Sequence, residues 1–285
     1  MTSDENTLTV GGSMLASLLL SLREGLEAAL IIGILAGALR KIRRTDLSPH
    51  LWRGAFSAIA LSVLTAIGLQ AAGAALEGEA EAVFEGTTMF LAAGVLTWMI
   101  FWMAHQARGL KDELEADVRR AALQKGGTPL FMLAFLAVVR EGIELALFLT
   151  AAAFASNAMQ TLVGALTGLA LAALLGWGLF TAALRLNLRK FFRVSGFLLL
   201  LFAAGLVAHG VHEFNEVGWI PAIIEHLWDV NFVLDENSVL GGVLKALFGY
   251  NGNPSLTEVL AYTGYFLAIW LGLRSRNRQE SLVAA

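Results

Sequence analysis

Arg23-Glu24-Gly25-Leu26-Glu27 and Arg140-Glu141-Gly142-Ile143-Glu144 are one five-residue pattern, R-E-G-(L/I)-E, written twice. Each copy sits inside a long run of apolar and small residues. Taking the runs as Met14–Leu39 and Leu130–Phe154, their midpoints fall near residues 26 and 142. A helix needs about 20 mostly apolar residues to cross the hydrocarbon core of a bilayer. Both patterns therefore lie near mid-membrane, where one acidic or basic residue costs about 2.5–3.5 kcal/mol on insertion scales. Three such residues per pattern cannot face lipid. They must face a protein interior or a wet cavity and compensate one another.

Five further apolar runs flank these two. The expectation is an all-α polytopic membrane protein with seven spans, near 13–39, 52–76, 84–106, 129–155, 159–184, 194–214 and 256–273. Composition agrees. The 285 residues are 57% apolar and only 15% charged, with mean hydropathy +0.67, whereas a soluble domain carries roughly a quarter charged residues. This excludes an ordinary soluble enzyme and a disordered chain. A net charge of -3 gives no footprint for nucleic acid. With no cysteine, thiolate metal sites and disulfides are excluded. Four prolines against 29 glycines suit close-packed membrane helices.

The basic residues set the orientation. Arg40, Lys41, Arg43, Arg44 and Arg53 surround the first connection, and Arg108, Lys111, Arg119, Arg120 and Lys125 the third. Arg185, Arg189, Lys190 and Arg193 lie around the fifth, and Arg274, Arg276 and Arg278 in the tail. Lys245 alone falls on the other side. The positive-inside rule puts the odd connections in the cytoplasm, the N-terminus outside and the C-terminus inside. The first twelve residues contain Asp4 and Glu5 and no basic stretch, so the first span reads as retained rather than as a cleaved signal. Spans one and four then cross in opposite senses. The chain divides as a single membrane domain: a first three-helix repeat at 1–106, a cytoplasmic amphipathic linker at 107–128, a second repeat at 129–214, an outer loop at 215–255 and a seventh span at 256–273. Inverted repeats of this kind place a transported substrate at their midplane interface.

The spacing gives the chemistry. Glu24 with Glu27, and Arg23 with Glu27, lie three and four residues apart and meet on one helix face; so do Glu141 with Glu144 and Arg140 with Glu144. Gly25 and Gly142 remove a side chain where a helix or an ion must come close. Four carboxylates and two guanidiniums sum to -2, and oxygen ligands without sulfur suit a hard multivalent cation. Proton uptake could replace the metal. The bland alternative is a pair of salt bridges locking helices together.

Doubled R-E-G-L-E patterns in a seven-span chain resemble the oxidase-dependent iron transporters: the fungal high-affinity iron permeases and the bacterial EfeU-type iron permeases. The bacterial branch is the more similar. Phe84-Glu85-Gly86 and Leu96-Thr97-Trp98-Met99-Ile100-Phe101-Trp102-Met103 resemble its third span. Arg185-Leu186-Asn187-Leu188 with Phe191-Phe192, and Ala203-Ala204-Gly205-Leu206 with Glu216, resemble its fifth connection and sixth span. The resemblance implies iron import across the cytoplasmic membrane, with Glu24, Glu27, Glu141 and Glu144 as iron ligands supported by Arg23, Arg140, Gly25 and Gly142. It implies iron as transported substrate rather than as a resident cofactor. A periplasmic or extracellular oxidase and an iron-delivery protein are the expected partners, with homo-oligomerisation open. Ferrous and ferric iron are both compatible.

Secondary candidates are Glu81 and Glu85 at the outer mouth, and His209, His212, Glu213 and Glu216 near the end of span six. The acidic outer loops can act as a weak cation funnel. Trp98, Trp102, Trp177, Trp219, Trp228 and Trp270 read as interfacial belt residues. The competing readings are a transporter of another cation such as lead or manganese, a seven-span sensor with an ionic lock, and an intramembrane hydrolase. The last has no HExxH motif, and no P-loop supports ATP drive.

Overall fold

Proline and asparagine mark where the helices begin. Pro49 and Pro129 stand in the first turns of Ser48–Ala74 and Thr128–Phe154, where a missing N–H is no loss. Asn157 caps Ala158–Phe180, its side-chain oxygen accepting from the Met159 and Gln160 amides. Asn187 does the same for Leu188–Glu216 at the Lys190 amide. The computed structural model describes residues 12–106, 110–124, 126–181, 187–236 and 238–283. Among these it has nine α-helices and no strand: α1 (Gly12–Lys41), α2 (Ser48–Ala74), α3 (Glu79–Gln106), α4 (Leu110–Leu123), α5 (Thr128–Phe154), α6 (Ala158–Phe180), α7 (Leu188–Glu216), α8 (Val239–Phe248) and α9 (Leu256–Val283). The expected acidic N-terminal tail with Asp4 and Glu5, and the basic residues Arg108, Lys125 and Arg185, lie outside the described residues.

Seven of the nine are long, and each falls on an expected span. Five of them (α2, α3, α6, α7 and α9) are long and apolar enough to cross a membrane by length and composition. The other two are α1, with 30 residues, and α5, with 27. Their length is ample; each carries the three charges of its motif at its centre. The surface is apolar, with Phe56, Leu64, Ile67, Leu174, Trp177 and Phe197 all exposed. Charged side chains are instead enclosed, Arg23 and Glu24 among them. Water would not tolerate this inside-out distribution over so large an area, and lipid requires it.

Small residues set the packing. On α1, Ser17, Ser21, Gly25, Ala29 and Gly33 recur every four residues and meet Gly164, Gly168, Ala172, Gly176 and Phe180 of α6 in the same order. Two ridges that match in ascending order make α1 and α6 parallel neighbours. On α2, Gly54, Ser62 and Gly73 meet Phe131, Gly142 and Phe154 of α5, again in ascending order. On α3, Gly86 meets Gly210 and Ile100 meets Gly196 of α7, in descending order, so these two are antiparallel. Helix α1 therefore pairs with α6 as α5 pairs with α2, while α3 and α7 pair with each other. Exchanging α1–α3 for α5–α7 maps this pattern onto itself, as a pseudo-two-fold relation between oppositely threaded halves requires.

The amphipathic segment forms α4. Its Leu114, Val118, Ala121 and Ala122 are buried against Ile31, Leu35, Leu39 and Leu130 at the basic end of α1 and α5. Lys41 Nζ to Glu115 Oε2 at 2.8 Å, and Arg44 Nη1 donating to the Ala122 carbonyl at 2.9 Å, fasten it there. The 215–255 segment is more ordered than a loop. It contains α8, capped by Ser238 and ended by Gly249 at φ +67. Gly249 packs on Gly205, where a Cβ on residue 205 would come within 2.7 Å of the Gly249 Cα. That contact lies eleven residues before the end of α7, about 16 Å down the helix.

Candidate cation site between the two motif helices

The motifs occupy the middle turns of α1 and α5, and the two helices run in opposite directions. Gly25 and Gly142 are points of close helix approach. A Cβ on Gly25 would come 2.7 Å from the Cβ of Ala172 on α6, and one on Gly142 would collide with the Ser62 hydroxyl on α2. Removing the side chain at these two places lets α6 and α2 press against the backs of the motif helices and hold them in register.

On the inner faces, Glu24, Glu141 and Glu144 converge. Each offers one oxygen, and these oxygens all lie within 4.8 Å of one another. All three residues are buried. Among the described residues this is the one group of three or more His, Asp or Glu side chains close enough to share an ion. Glu27 is also buried but stands one turn further along α1, its Oε1 3.3 Å from Arg23 Nη2.

The arginines divide the carboxylates unevenly. Arg23 Nη1 donates to Glu24 Oε1 at 3.1 Å and to Met99 Sδ at 3.4 Å. With its contact to Glu27 it bridges both glutamates of its own motif. Arg140 Nε donates to Glu144 Oε1 at 3.0 Å. Its guanidinium carbon lies 4.2 Å from the centre of the Trp102 ring and 5.6 Å from that of Trp98. Among the described residues, no lysine, arginine or histidine nitrogen is within ion-pairing distance of Glu141.

This leaves a specific deficit. Glu24 Oε2, Glu141 Oε2 and Glu144 Oε2 are buried and have no hydrogen-bond partner among the described residues. A buried carboxylate oxygen without a partner carries its full desolvation penalty. On three carboxylates that converge, such oxygens are hard ligands whose desolvation a metal cation or protons would relieve. Buried apolar side chains lie on both sides of the cluster along the helices. Leu20, Leu96 and Phe148 are fully buried on the side of the acidic end. Ile31, Leu35, Leu130 and Ala134 are buried on the side of the basic end.

The secondary candidates separate. Glu81, Glu85, Glu213 and Glu216, joined by Glu79, line a cavity of about 700 Å³ at the acidic end. His209 turns away from them, its Nδ1 3.2 Å from the Gly205 carbonyl, into a cavity of about 20 Å³ shared with Lys245. His212 joins two groups, with Nδ1 3.0 Å from Glu258 Oε1 and Nε2 3.4 Å from Oε1 of Glu216 at the acidic-end cavity. The spacing of His209, His212 and Glu213 on one helix thus does not bring their ligand atoms to one point.

Several residues at or near the site were not visible as such in the sequence. Trp98 and Trp102 read as belt residues, yet they stack at 5.9 Å and carry Arg140 at the level of the motif. Their four-residue spacing was the available signal, since it puts both rings on one helix face. Met99, between them, reaches the other arginine. Ser62 gave no signal at all. Glu258 reads as an ordinary acid in the first turn of a helix, yet it is buried and also accepts from Asn251 Nδ2 at 2.8 Å.

Comparison with known proteins places the chain. Residues 14–274 match the iron permease FTR1 family. The chain is 36% identical over 257 residues to the ferrous iron permease EfeU of Escherichia coli O6:K15:H31, covering 89% of this chain and 93% of that protein. It is 32% identical over 277 residues to the ferrous iron permease EfeU of Yersinia pestis, covering 95% and 98%. A protein of Archaeoglobus fulgidus is 35% identical over 272 residues, covering 93% and 95%. No solved structure matches the chain. A match across nearly the whole length, on a bundle with five helices fit to cross a bilayer, shows that this multi-pass membrane protein belongs to the FTR1 iron permease family.

Proposed function

We propose that the chain imports iron across the cytoplasmic membrane, holding each ion at mid-depth between Glu24, Glu141 and Glu144. The observation that carries this is the convergence of three buried glutamates, one oxygen of each within 4.8 Å of the others, supplied by two oppositely running helices. Membership of a permease family, and relatives described as ferrous iron permeases, support a transporter rather than an enzyme. With Glu27, Arg23 and Arg140 included, the ionised site has a formal charge of -2, which one ferrous ion balances.

In this reading all seven long helices span the membrane, with the acidic end outside and the basic end in the cytoplasm. Iron collects in the acidic vestibule, passes Glu85, sheds part of its hydration shell and enters the pocket. Transport opens one apolar layer while the other stays closed, by rocking one three-helix repeat against the other. The inside-negative potential favours entry by about 2.3 kcal/mol per charge per 100 mV. An oxidase or an iron-delivery protein would dock at the acidic end. A structural ionic lock draws support from Arg23, which bridges two glutamates. It gives no account of Glu141, which no arginine holds.

The deciding experiment is radio-iron flux into vesicles containing only this protein, under ferrous and ferric conditions and with manganese and lead as competitors. Saturable iron entry that is lost in Glu141→Gln supports the reading. No entry in either redox condition, or preferred entry of manganese or lead, overturns it.

A further inference from the structure

The two arginines threaten the site they support. A guanidinium carries five donors and pairs readily with carboxylates. If both lay between the glutamates, they would neutralise the pocket and compete with any incoming cation. Arg23 has gone that way, since it is 2% exposed and bridges Glu24 and Glu27. Arg140 has not. Its side chain is 34% exposed, touches the pocket through Nε on Glu144 alone, and lays its guanidinium on the faces of Trp102 and Trp98. At mid-bilayer depth a partly exposed guanidinium needs a partner, and an aromatic face is one that brings no negative charge.

We propose that Trp102, with Trp98 stacked on it, is a positioning residue that parks Arg140 beside the glutamate pocket and so keeps Glu141 available to iron. The proposal rests on the cation site argued above and extends it to α3. The same turn of α3 handles both arginines, with Met99 against Arg23 and the two rings against Arg140. It thereby sets how much of each motif's negative charge remains for the substrate. Without the Trp102 ring, Glu141, the residue following Arg140 in the chain and one that no arginine holds, offers the guanidinium a second carboxylate, and the guanidinium swings to it.

The test is equilibrium binding of ferrous iron, without oxygen, to the purified full-length chain in detergent. Trp102→Leu is expected to weaken binding about tenfold, whereas Trp102→Phe, which keeps a ring face, stays within about twofold of the unaltered chain. In an Arg140→Gln background the Leu substitution shifts binding by less than about twofold, because the competitor is gone. A structural role for the ring would weaken binding equally in both backgrounds. Trp98→Leu, at the more distant ring, gives a shift of about threefold in the same direction and serves as the probe if Trp102→Leu fails to fold. Unchanged affinity in Trp102→Leu, or an equal loss with and without Arg140, overturns the positioning role. Loss of iron binding in Glu141→Gln beside an unmoved Trp102→Leu would sink the positioning role alone. Absence of iron binding by the unaltered chain would sink the cation site itself.

Discussion

Arg23 and Arg140 hold the same place in two copies of one pentapeptide, yet the first is enclosed and the second stands at the edge of the bundle. Two carboxylates and a methionine sulfur stand against the Arg23 guanidinium. One carboxylate and two indole rings stand against that of Arg140. The duplicated motif therefore yields two unlike half-sites. The first is a tight ion-paired knot. The second contributes two glutamates of which only one is held by an arginine. The surroundings supplied by α3 make the difference.

Substitutions at the glutamates test the division most severely. Changing Glu24, Glu141 or Glu144 to Gln is expected to lower iron uptake at least about 100-fold in vesicles, with insertion retained. Glu27→Gln should lower it by roughly a tenth as much, since Glu27 stands outside the converging oxygens. Equal losses at all four positions would erase the distinction between knot and open half-site.

The arginines come next, with stability as the readout. Removing one partner of a buried ion pair costs about 3–5 kcal/mol. Arg23→Gln should accordingly lower the thermal midpoint in detergent by about 10 °C. Arg140→Gln should lower it by less than about half that, because a third of its side chain is already exposed. Arg140→Lys keeps the charge and loses the planar fork, so a several-fold fall in uptake is expected. Equal midpoints for the two Gln variants would mean that the difference in burial has no energetic weight.

Smaller effects are expected at the glycines. Gly142→Ala collides with the Ser62 side chain, and overpacking of this kind costs about 1–3 kcal/mol. Adding Ser62→Gly should recover most of that. Gly25→Ala meets Ala172, a shorter neighbour, and should disturb stability less. Thermal midpoints of the three variants check the order. The smallest change is expected at Lys41→Ala. Its pair with Glu115 is 60% exposed on the lysine side, so the effect stays below about 1 kcal/mol.

How much of this the sequence showed follows from where the signals lie. Charges in apolar runs are conspicuous because lipid penalises them, so Glu24, Glu141 and Glu144 could be named without coordinates. The position of Glu27 outside the cluster could not, since one helix supports both i,i+3 and i,i+4 pairing and the choice belongs to Arg23. Trp98 and Trp102 were hidden by their own chemistry: an amphipathic ring in a membrane helix signals the interface first. The ridges on α1 and α6 were present as small residues every four positions, but their partners emerge only when two distant helices are laid side by side. The order within 215–255 rests on backbone contacts such as the Leu227 amide to the Pro254 carbonyl, which no residue type announces.

One of those ridges has a further consequence. The Phe180 ring fills the notch left by Gly33 on α1. Four residues on, on the same face of the helix, Gly37 has none of the described residues within 4 Å of where a Cβ would sit. The ring therefore sits where α1 carries no side chain: a methyl group at residue 33 would collide with it, whereas one at residue 37, about 6 Å along the helix, would meet none of the described residues.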